Sequence, residues 1–271
     1  LQDAYGEEFD KLYRHYEQTV TSSKVINARD LWMQICTTQI ETGTPYLLYK
    51  DACNLKSNQK NLGTIRGSNL CCEIVEYHDK DETAVCTLAS IALPKFVTQH
   101  GFNFDRLVEM AGIVTTNLNK VIDKTSYPVF GAESSNNAHR PIGIGVQGMS
   151  DVFQMMGLPY DSEEAMSLNQ HIFEAIYYGA VKKSVALAQE YGAYTSFKGS
   201  PASKGIFQFN LWGVEPTARF NWNELREDMM RYGLCNSLLT APMPTASSAQ
   251  ILGNTESFEP RTSNLYVRRV L

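Results

Sequence analysis

The longest uninterrupted helical pattern in the chain follows Pro159 and runs to Tyr191, where Gly192 ends it. Asp161, with Glu164 three residues on, is its expected N-cap. What surrounds this pattern decides the fold class. Helical periods also cover about 7–20 (Phe9, Leu12, Tyr13, Tyr16, Val20), about 28–41 up to Gly43-Thr44-Pro45, Asp105 to about Lys124, and about 223–232. A short helix is expected to end at Gly253. Between them lie short apolar runs: Asn69 to Tyr77, entered from a polar loop at 54–61, Ala84 to Leu93 carrying Cys86, and Ser237 to Leu239. Tyr46 to Tyr49 is apolar but of no evident type, and Asp79 to Glu82 reads as a turn. Strands alternating with helices predict an α/β domain with mostly parallel strands, without internal repeats or an interdomain linker.

At 271 residues and 43% apolar, the chain can bury a large core. A net charge of -5 and a pI near 5.6 argue against nucleic acid or an anionic membrane surface as the main partner. No apolar run is long enough to span a bilayer, and no signal peptide opens the sequence. The six cysteines (36, 53, 71, 72, 86, 235) contain no Cys-x-x-Cys pair, so they are expected to be reduced cytoplasmic thiols rather than a disulfide scaffold or zinc site. The chain starts at Leu1 and stops inside an apolar, strand-like run from Asn264 to Leu271, so both ends are expected to continue into a longer polypeptide.

The chemistry concentrates at Ser68 to Ile74. In a strand, Asn69, Cys71 and Glu73 would share one face, with Leu70 and Cys72 on the other. The amide can bind a hydroxyl, the carboxylate can take its proton, and the thiol can serve as nucleophile or hydrogen-atom carrier. The plainer alternative makes the cysteines small buried hydrophobes and Glu73 an edge charge. Thr245-Ala246-Ser247-Ser248 puts hydroxyls on a first helical turn, which serves a phosphate or an ordinary N-cap equally well. Gly143 to Gly148 matches the dinucleotide fingerprint by letter, but without its leading strand, and close packing at a strand-to-helix junction explains it better. His171 and Glu174 have a di-iron spacing without a second set, and read as an exposed polar face. The histidines are scattered, and none has a neighbour suggesting a Cys-His hydrolase.

Taken together, the blocks Glu41 to Tyr46, Lys56 to Gln59, Asn61 to Ile65, Ser68 to Cys71, Arg140 to Gly148, Ala241 to Ser247, Ala249 to Asn254 and Arg268 to Leu271 resemble a central part of the catalytic large subunit of class I ribonucleoside-diphosphate reductases, in their eukaryotic-type branch. The glycine-rich string belongs to that pattern. The resemblance implies a ten-stranded α/β barrel of two parallel half-barrels, of the ribonucleotide reductase and glycyl radical type, with 1–271 a fragment of the barrel domain. It sets Cys71 on a loop tip, so the shared-face argument holds only locally. Cys71 would become a thiyl radical, Glu73 would act as general base, and Asn69 would hold the ribose hydroxyls. Cys86 would be one half of a redox-active disulfide whose partner lies upstream of Leu1. Thr245, Ala246, Ser247 and Ser248 would hold the substrate phosphates; the family usually has Thr where Ser248 stands. Cys72, where Thr or Leu is common, reads as structural.

The implied reaction reduces ribonucleoside diphosphates to deoxyribonucleoside diphosphates for DNA synthesis. No cofactor or metal is implied within the segment: the radical comes from a metal-containing small subunit, and electrons from thioredoxin or glutaredoxin. ATP and dNTP effectors would bind outside it, the large subunit would form a homodimer or higher oligomer, and the isolated segment would be inactive. The alternatives are an adenosylcobalamin-dependent reductase with a similar barrel, a cysteine-nucleophile hydrolase, and a non-catalytic nucleotide-binding module using the turn at Thr245.

Overall fold

The computed structural model describes residues 1–21, 24–265 and 267. Most of the helices lie where the apolar periods place them. In chain order they are α1 (Gly6–Thr19), α2 (Ala28–Thr42), α3 (Lys50–Leu55), α4 (Phe104–Lys124), α5 (Phe130–His139), α6 (Met149–Met155), α7 (Glu163–Tyr191), α8 (Gln208–Leu211), α9 (Trp222–Tyr232) and α10 (Ala246–Leu252). The strands are β1 (Leu88–Ala92), β2 (Val97–Thr98), β3 (Gly101–Phe102) and β4 (Gly143–Gln147). Gly43 and Gly253 close α2 and α10 in the left-handed conformation that glycine adopts at low cost. The α7 cap is Ser162 rather than Asp161: its side chain accepts the Ala165 N–H. Helix α5 was not anticipated, because its Ser- and Asn-rich sequence carries no apolar stripe.

β1 and β4 pair in parallel, from Leu88 opposite Gly143 to Ala92 opposite Gln147. Every residue of β4 is buried, as expected for a strand covered on both faces. On its other edge Ile144 donates to Leu239 O at 2.9 Å and accepts from Ala241 N at 3.2 Å. The 237–241 segment thus runs beside β4, but it forms a single parallel bridge at Thr240 and not the expected strand over Ser237 to Leu239. β2 and β3 make a separate small antiparallel pair. Parallel pairing is therefore present, but a closed ten-stranded barrel is not formed among the described residues.

Two further expectations change. Ala84 to Leu93 is strand only over Leu88–Ala92, since Pro94 turns the chain into a 3-10 helix from Leu93, and Cys86 precedes the strand. The expected strand at Asn69 to Tyr77 is a loop. Its backbone groups are satisfied by side chains instead of a neighbouring strand: Asn69 Oδ1 accepts Ile74 N–H at 3.1 Å and Gln59 Oε1 accepts Tyr77 N–H at 2.7 Å. The strand-like run from Asn264 to Leu271 lies outside the described residues except Asn264, Leu265 and Val267, the first two forming a bend.

The core forms where α4 and α7 pack on each other and on the parallel pair, with Leu107, Ala111 and Ile122 meeting Ile172, Ile176 and Val146. Gly179 sets how closely those helices approach. A Cβ there would stand 2.5 Å from Val108 O and 3.1 Å from Ala111 Cβ. Gly179→Ala is expected to cost about 1–3 kcal/mol through overpacking, read as a lower urea midpoint; an unchanged midpoint would mean the helices separate freely. Helices α1 and α2 bury no residue, and Trp32, Met33 and Ile40 on α2 are 54%, 58% and 87% exposed. Among the described residues no helix is long and apolar enough to cross a membrane.

Candidate functional site

Amide side chains stitch the reactive loop to the core. Asn54 brackets Ile65, accepting its N–H at 2.7 Å and donating to its carbonyl at 2.9 Å. Asn58 donates to Ser237 O at 2.7 Å and accepts from Ala202 N at 3.0 Å. Gln59 donates to Ser237 Oγ at 3.0 Å while holding Tyr77 N–H. All three amides are buried, so each bond is made in a low-dielectric setting where an unpaired partner is expensive. The 56–59 motif is thereby a clamp between the reactive loop and the segment beside β4.

At the loop itself Cys72 N–H reaches back to Asn69 O at 3.2 Å, and Cys72 has φ 68. This left-handed turn, unusual for a residue with a Cβ, replaces the alternation of a strand. Asn69, Cys71 and Glu73 therefore do not form a row on one sheet face. Cys71 is exposed at the turn, beside Pro45 to Leu47 and Gln39 in a hollow of about 340 Å³. Glu73 faces a larger cavity of about 540 Å³, whose wall runs past Glu76, Tyr177, Trp212 and Ser237 to Pro242. Glu73 Oε2 is buried there without a hydrogen-bond partner. An orphaned carboxylate oxygen in a cavity wall is a strong acceptor waiting for a donor.

Cys86, on the extended segment before β1, stands close enough to this loop to sense its charges. Its surface is exposed, yet partial desolvation raises the thiol pKa, followed by the negative charges of Glu76, Glu73 and Cys71. The loop thus brings Cys71, Glu73 and Cys86 into one electrostatic neighbourhood. Glu76 is a member that its type and spacing do not announce. It is 6% exposed, and burial pushes its carboxyl up to about 8, against a hydrogen bond to the Val85 backbone that lowers it.

The 245–248 cluster sits apart, at the start of α10. Thr245 is buried and its hydroxyl accepts Ser257 N–H at 2.9 Å, while Ser248 Oγ donates to Thr245 O at 2.7 Å. Ala246 has φ 33, and Ser247 is exposed. The large cavity ends at Pro242, and Cys71 lines the smaller hollow. The polar pair His171 and Glu174 is not simply a solvated face: Glu174 accepts from Trp222 Nε1 at 2.9 Å and Thr217 N at 3.1 Å, tying α9 to α7. His139 is also partnered, by Ser196 Oγ and Glu82 Oε2, each at 2.6 Å, which pins the bend at 79–82 to the end of α5. Among the described residues no group of His, Cys, Asp and Glu is placed to hold a metal ion.

The family model for the ribonucleotide reductase barrel domain matches residues 1–271. The chain is similar to the ribonucleoside-diphosphate reductase large subunit of Plasmodium falciparum (isolate Dd2), 56% identical over 274 residues. It is likewise similar to the ribonucleoside-diphosphate reductase large chain 2 of Saccharomyces cerevisiae, 56% identical over 277 residues, and to the large subunit of Danio rerio, 56% over 272 residues. Each comparison covers 100% of this chain and 34%, 32% and 34% of those relatives in turn. The chain spans about a third of the length of the curated relatives it matches.

Proposed function

Because the chain belongs to the ribonucleotide reductase barrel-domain family, we propose that it is a segment of a large subunit that reduces ribonucleoside diphosphates to 2′-deoxyribonucleoside diphosphates. The segment contributes to a ten-stranded α/β barrel, and the apolar side chains left open on α2 support its packing against further chain. The observation that carries the catalytic reading is the unpartnered Glu73 Oε2, buried in the cavity wall one residue beyond the Cys71–Cys72 turn.

In this reading Cys71 carries a thiyl radical and takes the 3′ hydrogen of the ribose. Sulfur suits the step because its S–H bond is close in strength to an activated sugar C–H. Glu73 takes the 3′-hydroxyl proton, helping the 2′-hydroxyl leave as water, and Asn69 holds the ribose hydroxyls. With its Oδ1 committed to Ile74, the Asn69 amide nitrogen is the atom that donates. Cys86 and a second cysteine outside this segment supply two electrons and two hydrogens, ending as a disulfide that thioredoxin or glutaredoxin reopens. Thr245, Ala246, Ser247 and Ser248 hold the diphosphate. Since the Thr245 hydroxyl already accepts Ser257 N–H, it can still donate, and the Ser247 hydroxyl is the more accessible. At the end of each cycle Cys71 returns that hydrogen to the 3′ carbon and is a thiyl radical again, so the radical is conserved.

The radical is supplied by a metal-containing small subunit, and ATP and dNTP effectors act elsewhere on a dimeric or larger cytoplasmic enzyme. The test is reconstitution of the full-length protein carrying this segment with a radical-generating small subunit, thioredoxin and CDP. Sustained dCDP formation that needs the small subunit is expected, and none from residues 1–271 alone. Activity that needs adenosylcobalamin instead would move the chain to the cobalamin-dependent reductases. Sustained turnover by the isolated segment would refute its dependence on the remaining chain.

A further inference from the structure

The left-handed turn at Cys72 does more than remove the expected strand. In an extended run, neighbouring side chains point to opposite faces, and Cys72 would lie behind Cys71. With φ 68 at Cys72 and its N–H turned back to Asn69 O, the two adjacent cysteines instead line one hollow of about 340 Å³, Cys71 exposed and Cys72 half-buried. The Cys72 sulfur lies 3.9 Å from Leu70 O, within the same turn. Both thiols are free, and Cys36, Cys53 and Cys86, the other thiols that are not buried, line no part of this hollow. We propose that Cys71 and Cys72 form a vicinal dithiol site that takes one trivalent aryl arsenical, held through both sulfurs with its ring in the hollow.

Trivalent arsenic is thiophilic and bonds to two sulfurs at once. The first sulfur to bond holds the arsenic beside the second. The second bond then forms within the molecule at a high effective concentration, a gain of about 10²–10⁴ in affinity over a single thiol. In the step, two S–H bonds and the As=O of an arsenoxide become two As–S bonds and one water. Arsenic stays trivalent, so neither an oxidant nor a reductant is needed. A disulfide would have to draw the sulfurs to about 2 Å, whereas a bridging arsenic holds them further apart and asks less of the turn. The hollow adds an apolar wall of Pro45, Tyr46 and Leu47, pinned to α2 where Gln39 Nε2 donates to Pro45 O at 2.7 Å. No Lys, Arg, Asp or Glu lines it, which favours a neutral aromatic group over a charged one. In the proposed reaction a sugar must reach Cys71, so access to the turn in the full-length chain rests on that reading.

The test equilibrates the full-length protein and its Cys72→Ser variant with phenylarsine oxide and excess glutathione, a monothiol that strips singly bound arsenic. A brief pulse of iodoacetamide then marks the free thiols. Mass spectrometry reads the tryptic peptide 67–80, which carries both cysteines and no other. In wild type, Cys71 and Cys72 are expected to be protected together, and 2,3-dimercaptopropanol to expose both. In Cys72→Ser the arsenical concentration that protects Cys71 is expected to rise about 10²-fold, and in Cys86→Ser to stay within about twofold of wild type. Equal protection in Cys72→Ser, loss of protection in Cys86→Ser, or free alkylation of Cys71 in wild type would overturn the proposal. Should Cys72→Ser not fold, wild type alone decides: peptides alkylated at only one of the two cysteines would mean that arsenic does not bridge them. The readout needs no turnover. A protein that bridges arsenic but never makes dCDP, even before the arsenical is added, counts against nucleotide reduction and leaves the dithiol site standing; an active enzyme that does not bridge it does the reverse.

Discussion

Cys71→Ser is expected to abolish dCDP formation by the full-length enzyme, a loss of about 10⁴-fold or more, while CDP binding stays within about twofold of wild type. Serine keeps the size and hydrogen-bonding capacity of cysteine but replaces a weak S–H bond by a strong O–H bond. Such a hydroxyl neither forms a radical under the same driving force nor gives its hydrogen back to a sugar carbon. Cys71 is exposed on a turn stabilised by the Cys72 N–H to Asn69 O bond, so the substitution removes no core packing and should leave the fold intact. Product formation by chromatography and CDP affinity by equilibrium dialysis measure the two halves. Turnover above about one per cent of wild type would remove Cys71 from the chemistry. A parallel loss of binding would instead point to a damaged loop.

How far such a site is legible depends on the range of the interaction that builds it. The periods of Phe104–Lys124, Glu163–Tyr191 and Trp222–Tyr232 are local, and those helices form where the apolar stripe says they should. Asn69 to Tyr77 misleads for an equally local reason. Its alternation of small polar and apolar residues imitates a strand, while the left-handed Cys72 leaves no mark in the letters because neither Gly nor Asn occupies that place. What satisfies the loop is remote: Gln59 lies 18 residues from Tyr77 and 178 from Ser237. Glu76 reads as an ordinary acidic residue until the fold buries it, and His139 finds Glu82 and Ser196 only across 57 residues each. The long amphipathic helices were therefore readable, and the left-handed turn at Cys72 and the long-range polar pairing around that loop were not.

Glu73→Gln tests the proton transfer without touching the radical, and it is expected to lower kcat by about 10²–10⁴ with KM changed little. The amide is isosteric with the carboxylate and fits the same wall of the cavity. It cannot accept a proton, and it can place an N–H₂ group where Oε2 now stands buried without a partner, so the 3′-hydroxyl keeps its proton and water leaves slowly. Glu73→Asp, which retains a base on a shorter stem, is expected to recover part of the lost rate. That ordering, wild type above Asp above Gln, separates a proton acceptor from a residue that merely fills space, because packing alone would favour the isosteric amide over the shorter acid. Steady-state dCDP formation over a range of CDP concentrations supplies both parameters. If Glu73→Gln stays within about threefold of wild type, the orphaned oxygen has no catalytic use. The turn at Thr245 would then be left as a nucleotide-holding element with no base beside the sugar.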